Sequence, residues 1–293
     1  VNVGSTSPLL SAQDLRVDVD GVPTCDGLAF ETTAERVLVL GAPRALFEAA
    51  CGLRPVVRGS LAVWGATPAR AVDERVVVGA PLDPPLPPRW TALEYVVWSA
   101  RLAGHSKADA ARLAAAAVAA VQLGPLAKGA LGTLPVHARR GVVLAAALAT
   151  DARVVLLEDP LSTLPDEVAR TFARIVVAAI ADRSWAVFAP RVPLTSPLAM
   201  AAEEAFVVSS SRVDAQGAPA EIAAAERRYV ARVHGSVEAL GARLAERGAR
   251  IDVQGAQVVL DLGETLTTAE VLGMALEANV TVVELVPVAR ALA

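Results

Sequence analysis

Two apolar runs, Glu35-Arg-Val-Leu-Val-Leu-Gly41 and Arg153-Val-Val-Leu-Leu157, limit what this chain can fold into more than any other feature. Neither alternates apolar with polar residues. Each therefore reads as a strand buried on both faces, as in a parallel sheet covered by helices. Segments of helical spacing surround them. Leu46 to Leu53 has that spacing, and Thr91 with Glu94 forms a capping-box pattern that starts a helix through about Leu102. Ser106 and Asp109 repeat a capped start for an Ala-rich helix to about Leu123. Further helices are predicted from about His137 to Ala149 and from Asp166 to Ala181. Short strands are read at Leu9–Val19 and Gly27–Glu31, as a pair at Gly59–Gly65 and Val76–Gly79, and at Trp185–Ala189 and Ala205–Val208. Helices alternating with buried strands predict an α/β fold with a mostly parallel sheet. Pro81-Leu-Asp-Pro-Pro-Leu-Pro-Pro88 must be extended, because each proline fixes its own φ and biases its predecessor away from helix.

After Glu221 the character changes. Strands are read at Arg228–Val233, Arg250–Val253, Val258–Leu262 and Val280–Leu285, with helices at Val237–Glu246 and Thr268–Ala278. The order β-α-β-β-α-β matches a split βαβ, ferredoxin-like α+β arrangement. A boundary is expected near Ala224, giving domains at 1–223 and 224–293.

Composition removes several functions. Hydrophobic residues make up 54% of the 293 residues, mostly Ala, Val and Leu, which supplies a buried core and argues against disorder. A net charge of -4 without a long basic run excludes nucleic acid as a partner, since phosphate binding needs a concentrated basic patch. Cys25 and Cys51 cannot build a disulfide framework and read as free core thiols. Three histidines and no clustered cysteines make a metal site unexpected. No uninterrupted apolar stretch reaches ~18 residues, so no direct membrane span is expected. The N-terminus lacks a charged region followed by an apolar one, so no secretory signal is expected.

Several segments, in order, resemble the ATP-binding-cassette (ABC) family, particularly the ATPase subunits of ABC-2 type exporters. Leu10-Ser-Ala-Gln-Asp-Leu15 looks like the family's first strand. Cys51-Gly52-Leu53 followed by Arg58-Gly59-Ser-Leu-Ala-Val-Trp-Gly65 looks like its Gly-Leu and Gly-x-[IVL]-x-[VI]-x-Gly punctuation. Trp90-Thr-Ala-Leu-Glu94 resembles "L-T-V-x-E", and Asp151 to Leu164 resembles the Walker B region. Arg212 to Ile222 has the rhythm "G-R-x-x-x-x-G-x-P-x-E-[IL]", with Ser211 for the first Gly. The resemblance implies an ABC nucleotide-binding-domain fold: a mostly parallel core sheet with helices, a small antiparallel β subdomain and a helical subdomain at about 91–134. The final domain resembles the one appended to ABC-2 ATPases.

The residues that carry the family's chemistry are largely replaced. A P-loop aims backbone N–H groups at phosphate oxygens while a Lys supplies charge and a Ser or Thr holds Mg²⁺. Here the loop begins Gly41, Ala42, Pro43, Arg44, and Gly41 lies 11 positions before Gly52. The family pattern implies about 15. No Lys or Ser/Thr follows, and Pro43 removes an N–H donor. Arg44 offers a charge in place of the Lys, but without the cradle it reads as a solvated surface residue. Leu82 stands at the Q-loop position, and Leu134-Pro-Val-His-Ala138 stands at the signature, keeping Leu134 and the following Arg139-Arg140. Pro165 stands at the D-loop Asp, and Pro190 or Arg191 at the switch His. Glu158-Asp159 inverts the Walker B order, changing each reach by one methylene, where a misplacement near ~1 Å can cost ~100-fold. These carboxylates read as relics or loop hydrogen-bonding groups.

The resemblance, with these replacements, implies a catalytically inactive ABC ATPase-like subunit (a pseudo-ATPase) with no catalytic residue and no expected ATP or Mg²⁺ cofactor. Its partners would be an integral-membrane ABC-2-like permease, an active ABC ATPase, or itself as a dimer, at the inner face of the cell membrane. The alternatives are a divergent but active ATPase, which would use ATP and Mg²⁺, and a free cytoplasmic scaffold.

Overall fold

In the computed structural model the apolar runs at 36–40, 154–158 and 184–189 become adjacent parallel strands whose side chains are nearly all buried. The structure describes residues 7–41, 44–225, 228–254, 257–263 and 266–287, in two units that divide at 219/220.

The first unit opens with a hairpin, β1 (Leu10–Val19) and β2 (Val22–Glu31). β3 (Arg36–Leu40) and α1 (Arg44–Ala50) come next, then β4 (Arg58–Val63), α2 (Pro68–Asp73) and β5 (Val77–Ala80). The helical segment holds α3 (Ala92–Leu102) and α4 (Lys107–Ala120), followed by 3₁₀ turns at Gly124–Leu126 and Leu131–Thr133. α5 (Val136–Leu148), β6 (Val154–Glu158), α6 (Asp166–Ala179) and β7 (Ser184–Ala189) then alternate. α7 (Pro197–Ala201), β8 (Glu204–Val208) and β9 (Val213–Gly217) follow, and α8 (Pro219–Ala225) lies across the division.

Six strands form one sheet in the order β5-β6-β7-β3-β8-β9, parallel except for the edge strand β9. β2-β1-β4 form a separate antiparallel sheet. The segments Gly59–Gly65 and Val76–Gly79 are therefore not a pair. β4 belongs to the antiparallel sheet, and β5 pairs Val77 with Val154 in the parallel one. α2 carries the chain between them; with Pro68 in its first turn and six residues, it is too short to show a helical period. The second strand is also longer than expected, since it starts at Val22 and closes the hairpin on β1.

Helix ends follow their local chemistry. Thr91 accepts from the Glu94 N–H while Glu94 accepts from the Thr91 N–H, so the capping box is complete. Ser106 Oγ accepts from the Asp109 N–H at the start of α4. α1 buries Leu46 and Phe47 against the sheet, where the Phe47 and Phe188 rings meet edge to face at 5.7 Å. α5 is buried along most of its length, from Arg140 to Leu148.

The second unit runs β10 (Arg228–His234), α9 (Val237–Glu246), β11 (Arg250–Gln254), β12 (Gln257–Asp261), α10 (Thr268–Glu277) and β13 (Thr281–Pro287). All strands pair antiparallel in the order β11-β12-β10-β13. Leu240 and Leu244 of α9, Val271 of α10 and Leu260 of β12 share a core of their own. Arg243–Glu277 at 2.7 Å and Arg247–Glu270 at 3.3 Å tie the two helices together. Among the described residues, no helix is long and apolar enough to cross a membrane.

Candidate functional site

Parallel α/β sheets bind ligands outside the carboxyl ends of their strands. At that edge of the first unit, Gly41 follows β3 and Glu158 ends β6, with β7 between them. Gly41 has φ +69°, and a Cβ there would lie 2.7 Å from the Val208 carbonyl oxygen, so the packing of β3 on β8 demands glycine. Its N–H donates to the Ala189 and Pro190 carbonyls at 3.0 and 3.2 Å. Ala42 and Pro43 lie outside the described residues.

Arg44 opens α1, and its side chain is 64% exposed yet paired. Nε sits 3.0 Å from Oε1 of Glu48 and 3.3 Å from Oε1 of Glu158. The other oxygen of Glu48 accepts from Arg54 Nε at 2.7 Å, and Arg54 Nη1 donates to the Asp18 carbonyl at 3.1 Å. A chain of alternating charges thus runs Arg54–Glu48–Arg44–Glu158. Arg44 is a surface residue that is also paired: the i,i+4 spacing to Glu48 on α1 and the nearness of the β6 end give it two carboxylates.

Both Glu158 oxygens are engaged, since Oε2 accepts from the Leu82 N–H at 2.8 Å. The side chain is only 8% exposed, and burial raises its proton affinity above the ordinary carboxylate range. The Leu82 N–H and Arg44 oppose that shift, while Glu48 and Asp159 add to it. Asp159 is half-buried with φ +36°, and its N–H donates to the Phe188 carbonyl at 2.8 Å. Burial raises its pKa too, opposed by Ser162, Arg140 and Arg191. The Cys51 thiol, buried near the same carboxylates, is pushed up to about 12, so it stays protonated and inert. Cys25 is likewise buried and free. Among the described residues, no group of three His, Cys, Asp or Glu could hold a metal ion.

Arg140 is the residue that sequence reasoning undervalues. It lies on buried α5 with its side chain 4% exposed. Nε and Nη2 reach the two Asp83 oxygens at 3.3 and 3.0 Å. Nη1 donates to the carbonyls of Pro160 and Ser162 at 3.2 and 2.5 Å, and Nη2 to Thr163 Oγ1 at 3.4 Å. A guanidinium inside an Ala- and Val-rich helix is the signal that marks it, because a buried charge must find partners. The segments it joins are strained: Asp83, Asp159 and Thr163 have φ of 45°, 36° and 62°. Left-handed backbone costs an L-residue roughly 1–2 kcal/mol.

Leu134 and Ala138 are buried, Pro135 and Pro165 stand at the N-caps of α5 and α6 without side-chain bonds, and Pro190 and Arg191 are exposed. Beside the Pro81–Pro88 segment lies an open groove of about 260 Å³ lined by Asp83, Pro84, Leu86, Pro88, Leu131 and Arg139 among others. On α3 and just before it, Trp90 and Trp98 meet edge to face at 5.7 Å, and Tyr95 lies 6.0 Å from Trp98. The two tryptophans remain 37% and 44% exposed.

No protein-family model matches the sequence, and no curated protein does. Solved structures do. CbiO1 from Clostridium perfringens, part of the ABC transporter complex CbiONQ, superposes with a TM-score of 0.64 at 17% identity, over 75% of this chain and 92% of that one. The ADP conformation of MJ1267, an ATP-binding cassette of an ABC transporter, gives 0.60 at 14% identity over 73% and 92%. An ATP-binding subunit of another ABC transporter gives 0.61 at 16% identity over 73% and 91%. The chain contains the fold of an ATP-binding cassette. In it Arg44 and Glu158 meet at the carboxyl ends of the sheet strands, where Gly41 follows β3 and Asp159 follows β6.

Proposed function

We propose that this chain is a catalytically inactive cassette subunit, a pseudo-ATPase, serving as a structural or regulatory component of an ABC-2-like transporter or related membrane complex. The observation that carries the reading is the Arg44–Glu158 pair, 3.3 Å apart at the edge where a nucleotide would meet the sheet. The residues there do not fit a magnesium nucleotide. The Gly41 N–H is spent on the Ala189 and Pro190 carbonyls, and both Glu158 oxygens are taken by Arg44 and Leu82. α1 opens on Arg44 where the motif calls for Lys and then Ser or Thr. The charge that a phosphate would draw on is neutralised within the chain.

The protein would then act through its surface, at the cytoplasmic face of the membrane. The groove beside the Pro81–Pro88 segment and the half-exposed Trp90 and Trp98 supply an apolar face for a permease, for an active ABC ATPase or for a second copy. A proline-rich arm is semi-rigid, which suits a fixed platform better than a nucleotide-driven lever. ATP favours closure of a working cassette pair because it contacts both subunits only in that state. Here that contribution is absent, so association should not depend on nucleotide. Pull-down of the native protein from membranes with added ATP, ADP or chelator tests this. Unchanged recovery of the membrane partner supports the reading, and assembly or release driven by nucleotide at this chain's own site overturns it.

A further inference from the structure

We propose that Arg140 is a clasp that makes the order of the Pro160–Thr163 turn depend on Asp83, a residue at the mouth of the groove. The Asp83 carboxylate is 47% exposed, whereas the guanidinium it pairs with is buried. Through that guanidinium the groove edge is bonded to Pro160, Ser162 and Thr163, immediately after the Glu158–Asp159 pair. Arg140 thus joins Asp83 on one side to that turn on the other.

Three features make this more than a static contact. The turn's own backbone bonds are long, Ser162 N–H to Asp159 O at 3.4 Å and Leu164 N–H to Leu161 O at 3.3 Å, and beside the Arg140 fork Ser162 bonds the Asp159 carboxylate. The chain is left-handed at Asp83, Asp159 and Thr163, and Thr163, being β-branched, is the least suited to that conformation. Such strain persists only where the surroundings over-determine it, and the Arg140 fork, reaching both strained segments, is placed to do so. The Asp83 end of the clasp also faces the groove, since that carboxylate is 47% exposed and lines it. Asp83 and the turn are therefore coupled by a charged pair, and the coupling needs no nucleotide. The inference goes beyond the proposed function and holds whether or not the chain binds ATP.

Amide-resolved hydrogen exchange on the full chain tests it. Asp83→Asn keeps a residue that tolerates left-handed backbone while removing the charge. It should speed exchange at Ser162 and Leu164 roughly tenfold, the scale of one charge-assisted hydrogen bond. Arg140→Lys keeps the charge without the fork and should also speed the turn, and adding Asp83→Asn to it should change the turn little further. Wild-type exchange at Ser162 and Leu164 in Asp83→Asn, with changes confined to residues 81–88, overturns the clasp. So does an undiminished effect of Asp83→Asn in the Arg140→Lys background. If Arg140→Lys does not fold, the single Asp83→Asn variant decides.

Discussion

Nε of Arg44 lies 3.3 Å from Oε1 of Glu158, so the first residue of α1 and the last of β6 neutralise each other across the edge of the sheet. The pair leaves a buried carboxylate with an exposed counter-charge. Burial dominates its titration and raises its pKa. A group of this kind lends stability that is fully present below its unfolded pKa, near ~4.3, and lost as pH rises through the raised folded value.

Glu158→Gln should therefore be neutral or stabilising at neutral pH and should flatten the fall in stability above about pH 4. The amide oxygen still accepts from Leu82, and Arg44 keeps Glu48. Thermal unfolding across the pH range checks this. A loss at neutral pH approaching the ~3–5 kcal/mol of a broken buried ion pair would mean that the carboxylate is needed as an anion.

Gly41→Ala should destabilise the first unit by about 1–3 kcal/mol, because it forces a left-handed L-residue against the Val208 carbonyl. Denaturant unfolding measures it. A change within about 0.5 kcal/mol, as at an unconstrained surface site, would remove the packing reason given for this glycine.

How much of this was legible in the sequence depends on the range of the interaction. The capping box of Thr91 and Glu94 spans three residues and was readable, as were the buried runs of β3, β6 and β7. α2, α7 and β9 were not, since five or six residues show no decisive period. The motif order named Gly41, Arg44 and Glu158 as positions of interest without saying which of them would meet. Their bonding was out of reach: Leu82 meets Glu158 across 76 positions and Arg140 meets Asp83 across 57, distances set by the sheet order. That Arg44 would turn toward Glu158 follows only once β6 lies beside β7 and β7 beside β3.

Trp98→Glu should keep the fold and weaken co-purification with the membrane partner. The ring is 44% exposed, and the lost edge-to-face contact with Trp90 is worth about 0.5–1.5 kcal/mol. Circular dichroism and pull-down, run together, check both halves. Undiminished recovery from membranes with a folded variant would take this face out of the interface.

Residues 220–293 expressed alone should unfold cooperatively, because Leu240, Leu244, Leu260 and Val271 form a core within that unit. An amide spectrum with random-coil dispersion would contradict this.

The central claim is that the strand edge is occupied by the chain's own charges and does not take nucleotide. Calorimetric titration of the full chain with ATP and with ADP, in the presence and absence of Mg²⁺, addresses it most directly. The account predicts no saturable heat at millimolar nucleotide, and none gained in Arg44→Ala, since removing the pair does not rebuild a phosphate cradle. A saturable, Mg²⁺-dependent affinity in the micromolar range, lost on changing Glu158 or Asp159, would contradict it.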